Sequence, residues 1–241
     1  MSTIAGMRVY HSSGKYVERV FLATDGKLKY CDNSGSVEDA SDDFKKIAFG
    51  SHWAIASAGE CNENLKRFYA GLRSSEKKGV CPSIVRAVET KYFTEFAELN
   101  RGIALKEGCE ELPVFLLATS KPGKNPELYF VDIMGNVLTE NPGQDFYDGN
   151  HLFLGPQAES LHNSLALDVD STVGMGLLDA VKSFELLYDV LEKSTCPDSG
   201  GRIQIVSVTR RGVTNLSERL EELVKNAESE WVRETKKRLR N

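Results

Sequence analysis

The sequence predicts an α+β fold within the broad α/β class: a four-layer αββα sandwich of two antiparallel sheets flanked by helices. Three observations predict it. The elements read as strands, two helices, strands, two helices, strand, helix, an order that suits helices packed on the outer faces of paired sheets. Successive strands are joined by short turns (Ser13-Gly14, Pro122 to Pro126, Gly135-Asn136), which antiparallel ladders use and parallel crossovers do not. Finally, Trp53-Ala54-Ile55-Ala56-Ser57-Ala58-Gly59 is a run of small and apolar residues, as expected for a strand buried on both faces.

The first two strands are expected at about Ser2–His11 and Tyr16–Asp25. The polar stretch Asp32 to Asp43 reads as a loop, because Asn, Ser, Gly and Asp cluster there. A third extended segment opens at Lys45-Lys46-Ile47. Alternation lets only one of the two lysines point inward. A helix follows from about Asn62 to Ser74, with Leu65, Phe68, Tyr69 and Leu72 on one stripe. A second helical stretch begins after Pro82-Ser83 and runs to about Arg101. Strands return at Leu112–Ser120, Glu127–Met134 and Val137–Thr139. Helices are expected at Ala158–Leu167 and Gly176–Lys193, and a strand at Ile203–Thr209. A last helix, N-capped by Thr214, carries Leu216, Leu220, Leu223, Ala227 and Trp231 on one side. The chain thus divides into a sandwich domain, 1–213, and a C-terminal helix, 214–241, expected to dock on a neighbouring subunit.

Composition narrows the function classes. Apolar residues make up 41% of the chain, enough for a full core, and no apolar run approaches the ~18 residues of a membrane span. The start lacks the basic and apolar regions of a secretory signal. A net charge of −5 with scattered basic residues argues against nucleic acid. The basic cluster Lys236 to Arg240 reads as favourable charge at a helix C-terminus. Five cysteines, an odd number without close pairs, are expected to be free thiols in a reducing, cytoplasmic compartment. Neither they nor the four histidines have metal spacing, and Cys196 has no histidine near it in sequence, so no metal or cofactor is expected.

The start of the chain holds the most informative pattern. With a two-residue turn at Ser13-Gly14, Ser2 is expected opposite Asp25, with Lys27 two residues on and on the same face. Thr3 would then point to the other face. The same register sets Arg8 against Arg19, an unfavourable pair that a bulge would relieve, and the distal part of the hairpin reads as an exposed polar tip.

Four pieces in order then resemble the proteasome family of N-terminal-nucleophile hydrolases, including its bacterial ring- and spiral-forming relatives. Ser2-Thr3-Ile4-Ala5-Gly6 is similar to the Thr-Thr-x-Val-Gly start of active β-type subunits. Ala23-Thr24-Asp25-Gly26-Lys27 is similar to an Ala-x-Asp-x-Arg segment. Lys45-Lys46-Ile47 with Ile55 to Gly59 is similar to a Lys-Ile step and an Ala-Gly strand end. Asp198-Ser199-Gly200-Gly201 is similar to an Asp-x-x-Ser-Gly-Gly element. The resemblance covers residues 2 to about 213 and implies the Ntn-hydrolase type of αββα sandwich.

It also implies roles. Ser2, freed by removal of Met1, would be the nucleophile, and its α-amine the base. Lys46 would be the buried cation, with Asp25 orienting it. The Gly59 N–H would serve the oxyanion, and Asp198 and Ser199 would position the amine. Lys27 would lie on the substrate side. The partners implied are peptide or unfolded protein, a homo-oligomeric ring or spiral, and an ATPase that could feed it.

The departures are specific. Lys27 stands where arginine is common, Gly155-Pro156-Gln157 where the family has Gly-Ser-Gly, and Cys196 where it has an acid. They leave a second expectation open: a catalytically silent scaffold or interaction subunit of the same fold.

Overall fold

The computed structural model describes residues 3–10, 16–26, 28–31, 37–41, 45–58, 63–79, 81–82, 85–86, 114–131, 137–138, 151–154, 201–217, 222, 225 and 229. Along the chain these form β1 (Ile4–Tyr10), β2 (Val17–Thr24), β3 (Leu28–Cys31), β4 (Val37–Ser41), β5 (Ile47–Phe49), β6 (Trp53–Ala58) and α1 (Glu63–Lys77). They continue with β7 (Val114–Thr119), β8 (Glu127–Val131), β9 (Val137–Leu138), β10 (His151–Leu154), β11 (Gln204–Thr209) and β12 (Gly212–Asn215). One sheet has the order β10-β1-β2-β11-β12, the other β5-β6-β7-β8-β9, and β3 and β4 form a separate hairpin. The paired strands are antiparallel throughout.

The two sheets stack through small and branched side chains. Ile4, Val20, Leu22, Val206 and Val208 of the first sheet meet Ala54, Ala56, Ala58, Leu116, Ala118 and Leu128 of the second. The alanines of β6 let the sheets come close. Gly6 of β1 does the same: a Cβ there would stand 2.9 Å from Leu128 Cδ2 and 3.2 Å from Leu116 Cδ1. Alternation sends Trp53 and Ile55 of β6, with Phe115 and Leu117 of β7, to the outer face. There they pack on Tyr69 and Leu72 of α1 and on Val85. The described residues therefore display three layers in sequence: helix, sheet, sheet. Ala5, Met7, Phe21, Ala23 and Ile205 on the far side of the first sheet are buried as well, so that face is also covered. The helices expected at Ala158–Leu167 and Gly176–Lys193 lie outside the described residues.

Several expectations need correction. The first hairpin carries a register shift: Tyr10 faces Val17, as a turn at Ser13-Gly14 requires, but Val9 faces Arg19. Glu18 is the extra residue, and below this bulge every pair is displaced by one. Arg8 accordingly faces Val20 and escapes the like-charge pair. Its guanidinium donates to the carbonyl of Leu128 in the other sheet at 3.0 Å, so Arg8 belongs between the sheets and not to an exposed tip. Arg19 lies over the ring of Phe21, 5.5 Å from its centroid.

The Asp32–Asp43 stretch is not all loop, since Val37–Ser41 pairs with Leu28–Cys31. Pairing, which composition does not report, overrides the poor strand propensity of Glu38 and Asp39. Nor is Thr214 a helix cap. It pairs with Ser207 in the β11–β12 hairpin, and Asn215 Oδ1 accepts instead from the Ser217 N–H at 3.1 Å. Leu216 is buried in this domain, its N–H donating to the Ile205 carbonyl, and it is not part of a helical stripe. Glu222, Lys225 and Ser229 beyond it are helical and exposed. Among the described residues no helix is long and apolar enough to cross a membrane.

Candidate functional site

The bulge decides what meets Asp25. Ile4 pairs with Thr24, so the residue opposite Asp25 is Thr3, one later than the sequence register placed it. The Asp25 N–H donates to the Thr3 carbonyl at 3.3 Å, and the Thr3 N–H donates to Asp25 Oδ1 at 3.1 Å. Thr24 Oγ1 lies 3.2 Å from the carbonyls of both Thr3 and Asp25, one hydroxyl proton serving two acceptors. The chain is thus pinned at its third residue by main-chain and side-chain bonds to the end of β2. The face argument that set Thr3 apart from Asp25 no longer holds.

The same carboxylate oxygen takes a cation. Lys46 Nζ donates to Asp25 Oδ1 at 3.0 Å, and the two side chains are 4% and 0% exposed. Lys45 next to it is exposed, so it is Lys46 that points inward. The pair links the end of β2 in one sheet to the residue before β5 in the other. Burying two charges is costly unless each is held by a partner in good geometry, and Asp25 satisfies two donors with one oxygen.

Around Lys46 lies a set of polar groups that the sequence did not single out. Gln204, first residue of β11, reaches across from the first sheet: its Oε1 accepts from the Lys46 N–H at 3.0 Å and from the Ile47 N–H at 3.4 Å. The Tyr69 hydroxyl of α1 donates to the Lys46 carbonyl at 2.6 Å and stands 2.8 Å from Ser57 Oγ. All of these residues are buried. Ser57 is the polar residue of an otherwise apolar, buried strand, and Gln204 is a buried polar residue opening β11; such groups must find a partner. That was the available signal. Tyr69 was legible only as part of the apolar stripe of α1, and its ring does pack there.

Of the residues singled out from sequence, the structure brings together Asp25 and Lys46 and adds the main chain of Thr3. Ser2, Lys27, Gly59, Asp198 and Ser199 lie outside the described residues. So do Gly155 to Gln157 and Cys196. β6 is described up to Ala58, immediately before Gly59. Among the described residues no group of three or more His, Cys, Asp or Glu side chains could hold a metal. Chemically, the site offers a fixed, water-shielded cation, aimed by a carboxylate that also grips the second peptide bond of the chain.

No family model matches the sequence, and no curated protein is detectably similar to it. Solved structures are similar in fold. Anbu (ancestral beta-subunit) from Yersinia bercovieri superposes with a TM-score of 0.63 at 12% identity, over 95% of this chain and 94% of that one. Anbu from Hyphomicrobium sp. strain MC1 gives 0.62 at 16% identity, over 97% and 96%. A Gly-1 mutant of that protein gives 0.61 at 14%, over 98% and 96%. At such identities the likeness shows the fold: this chain is built like Anbu along nearly its whole length.

Proposed function

We propose that the chain is a proteasome-type N-terminal-nucleophile hydrolase that cleaves peptide amide bonds with the hydroxyl and α-amine of Ser2. The observation that carries this reading is the grip of Asp25 on both Thr3 N and Lys46 Nζ. Thr3 N belongs to the peptide bond that begins at Ser2, and adjacent Cα atoms are ~3.8 Å apart. In this reading Ser2 begins one peptide bond away from the group that Asp25 holds together with Lys46. Thr3 donates its N–H to Asp25 as part of a peptide bond; Ser2, the residue before it, is the one whose amine is freed in this reading. The Anbu-like fold supports the reading, as do the four sequence elements that resemble the proteasome family.

In this reading Met1 is removed. The Ser2 hydroxyl attacks the peptide carbonyl while the α-amine takes its proton. Lys46 favours the deprotonated forms of both groups. The oxyanion is received by the Gly59 N–H, and the amine returns the proton to the leaving nitrogen as the C–N bond breaks. Water then hydrolyses the Ser2 ester by the reverse use of the same groups. Asp198 and Ser199 complete the surroundings of the amine, and Lys27 faces the substrate. The working form is a cytoplasmic ring or spiral of identical subunits acting on peptide or unfolded protein, which an ATPase could supply. The domain is the full αββα sandwich, closed by β12, and the segment that carries the helical Glu222, Lys225 and Ser229 reaches a neighbouring subunit.

The experiment is intact-mass spectrometry of the purified protein together with a fluorogenic peptide-amide panel on wild type and Ser2→Ala. The expected result is loss of Met1 and hydrolysis that the substitution abolishes. Equal inertness of both proteins across the panel would instead favour the silent-scaffold reading, to which the Gly155-Pro156-Gln157 and Cys196 departures point.

A further inference from the structure

Among the described residues, strand β5 lies at the edge of its sheet, paired with β6. Half of an edge strand's main-chain groups face away from the ladder, and where they are buried they need acceptors and donors from elsewhere. Lys46, which enters β5, is such a case: it is 3% exposed, yet its N–H and C=O are both satisfied by side chains. The acceptor comes from Gln204 in the opposite sheet and the donor from Tyr69 on α1. Lys46 is thereby held at both main-chain ends by two different layers of the fold, while its side chain runs to Asp25 in the first sheet.

We propose that Gln204 and Tyr69 are positioning residues for Lys46: together they clamp its main chain, so that the ammonium group is held at Asp25 beside the start of the chain. The proposal rests on the hydrolase reading of this site. Gln204 also stands beside Thr24 in the ladder, and Thr24 bonds to the Thr3 carbonyl. The cation and the chain start are therefore referenced to one rung of the first sheet. A long, flexible lysine stem carries large rotamer freedom. Fixing its main chain from two sides limits the arcs its tip can sweep, and misplacement by ~1 Å at a reacting centre can cost on the order of 10²-fold in rate.

The test uses Gln204→Met, which keeps the length and removes the acceptor, and Tyr69→Phe, which keeps the ring and removes the donor. Two readouts are taken on the full chain. In peptide-amide hydrolysis, each variant is expected to lower kcat at least about ten-fold while KM stays within about two-fold. In nitrogen-15 NMR of selectively labelled lysine, the Lys46 ammonium protons are expected to exchange slowly in wild type and to be lost in each variant. A purely structural role predicts a lower unfolding midpoint with the ammonium signal and kcat retained, and that outcome in both variants overturns the proposal. Should wild type prove inert toward peptides, the NMR arm decides alone: loss of the signal upholds the clamp while the peptidase reading falls. If Gln204→Met does not fold, Tyr69→Phe carries both readouts.

Discussion

Asp25 and Lys46 form an ion pair 3.0 Å long between the two sheets, with neither side chain meaningfully exposed. Such a pair is a poor device for stability alone. Removing two charges from water costs several kcal/mol per ion, and well-packed apolar replacements are often neutral or better. Its position at the point where Thr3 is gripped is what gives it meaning.

Breaking the pair from either side should therefore be worse than removing it. Asp25→Asn and Lys46→Met are each expected to destabilise the fold by about 3–5 kcal/mol, because each leaves a buried charge alone. The double variant should lose clearly less than the sum of the two, giving a coupling energy of about 2 kcal/mol or more. Urea titrations of the four proteins measure it. Additive losses would show that the charges do not support one another.

Gly6 makes a second prediction. A methyl group at this position enters the space of Leu128 and Leu116, and overpacking of this kind costs about 1–3 kcal/mol. The atoms it meets are the ends of leucine side chains, so the clash can be relieved. Gly6→Ala combined with Leu128→Ala should be less destabilised than the two single losses added together. Sheet packing thus accounts for the glycine of the Ser2–Gly6 start.

What could be read from sequence followed how local the signal was. β1, β2, β6, β7, β8, β11 and α1 carry their own apolar periodicity, and each was expected within a few residues of where it lies. β10 was not, because four residues at His151–Leu154 become a strand only by pairing with β1. β4 was lost for a similar reason, its acidic residues masking a hairpin. The register of the first hairpin turned on a single extra residue, Glu18. Strand alternation converts a one-residue slip into a change of partner, and so Thr3 replaced Ser2 opposite Asp25. In the site, Asp25 and Lys46 could be found because each closes or opens a strand. Gln204 and Tyr69 could not be assigned to Lys46, since their contacts cross from one layer to another over 158 and 23 residues of sequence.

Two other glycines should respond to alanine with opposite signs. Gly71 sits on the exposed side of α1, and a Cβ there meets nothing within 4 Å. Gly71→Ala is expected to stabilise the protein by about 0.5–1 kcal/mol through helix propensity. Gly212 has φ +129° at the start of β12, and its Cβ would stand 2.8 Å from the Ser51 carbonyl oxygen. That oxygen already accepts from the Val213 N–H at 3.0 Å, so it is held in place. Gly212→Ala is expected to cost about 1–3 kcal/mol from backbone strain, before any clash is counted. Thermal unfolding of the two variants beside wild type checks both signs.

The role of the Ser2 α-amine can be tested by masking it. If the Ser2 α-amine takes the proton from its own hydroxyl, any residue left in front of Ser2 turns that amine into an amide and removes the base. A version carrying a protease-removable leader directly before Ser2 should fold with an unchanged unfolding midpoint and show no peptide hydrolysis. Cutting the leader off, so that Ser2 again begins the chain, should restore activity in step with the fraction cleaved by mass. The Thr3–Asp25 bond lies one residue inside the cut and is available to both forms. A difference between them therefore reports on the amine and not on the ion pair. Full activity with the leader in place would exclude Ser2 as an N-terminal nucleophile, whatever Asp25 and Lys46 do.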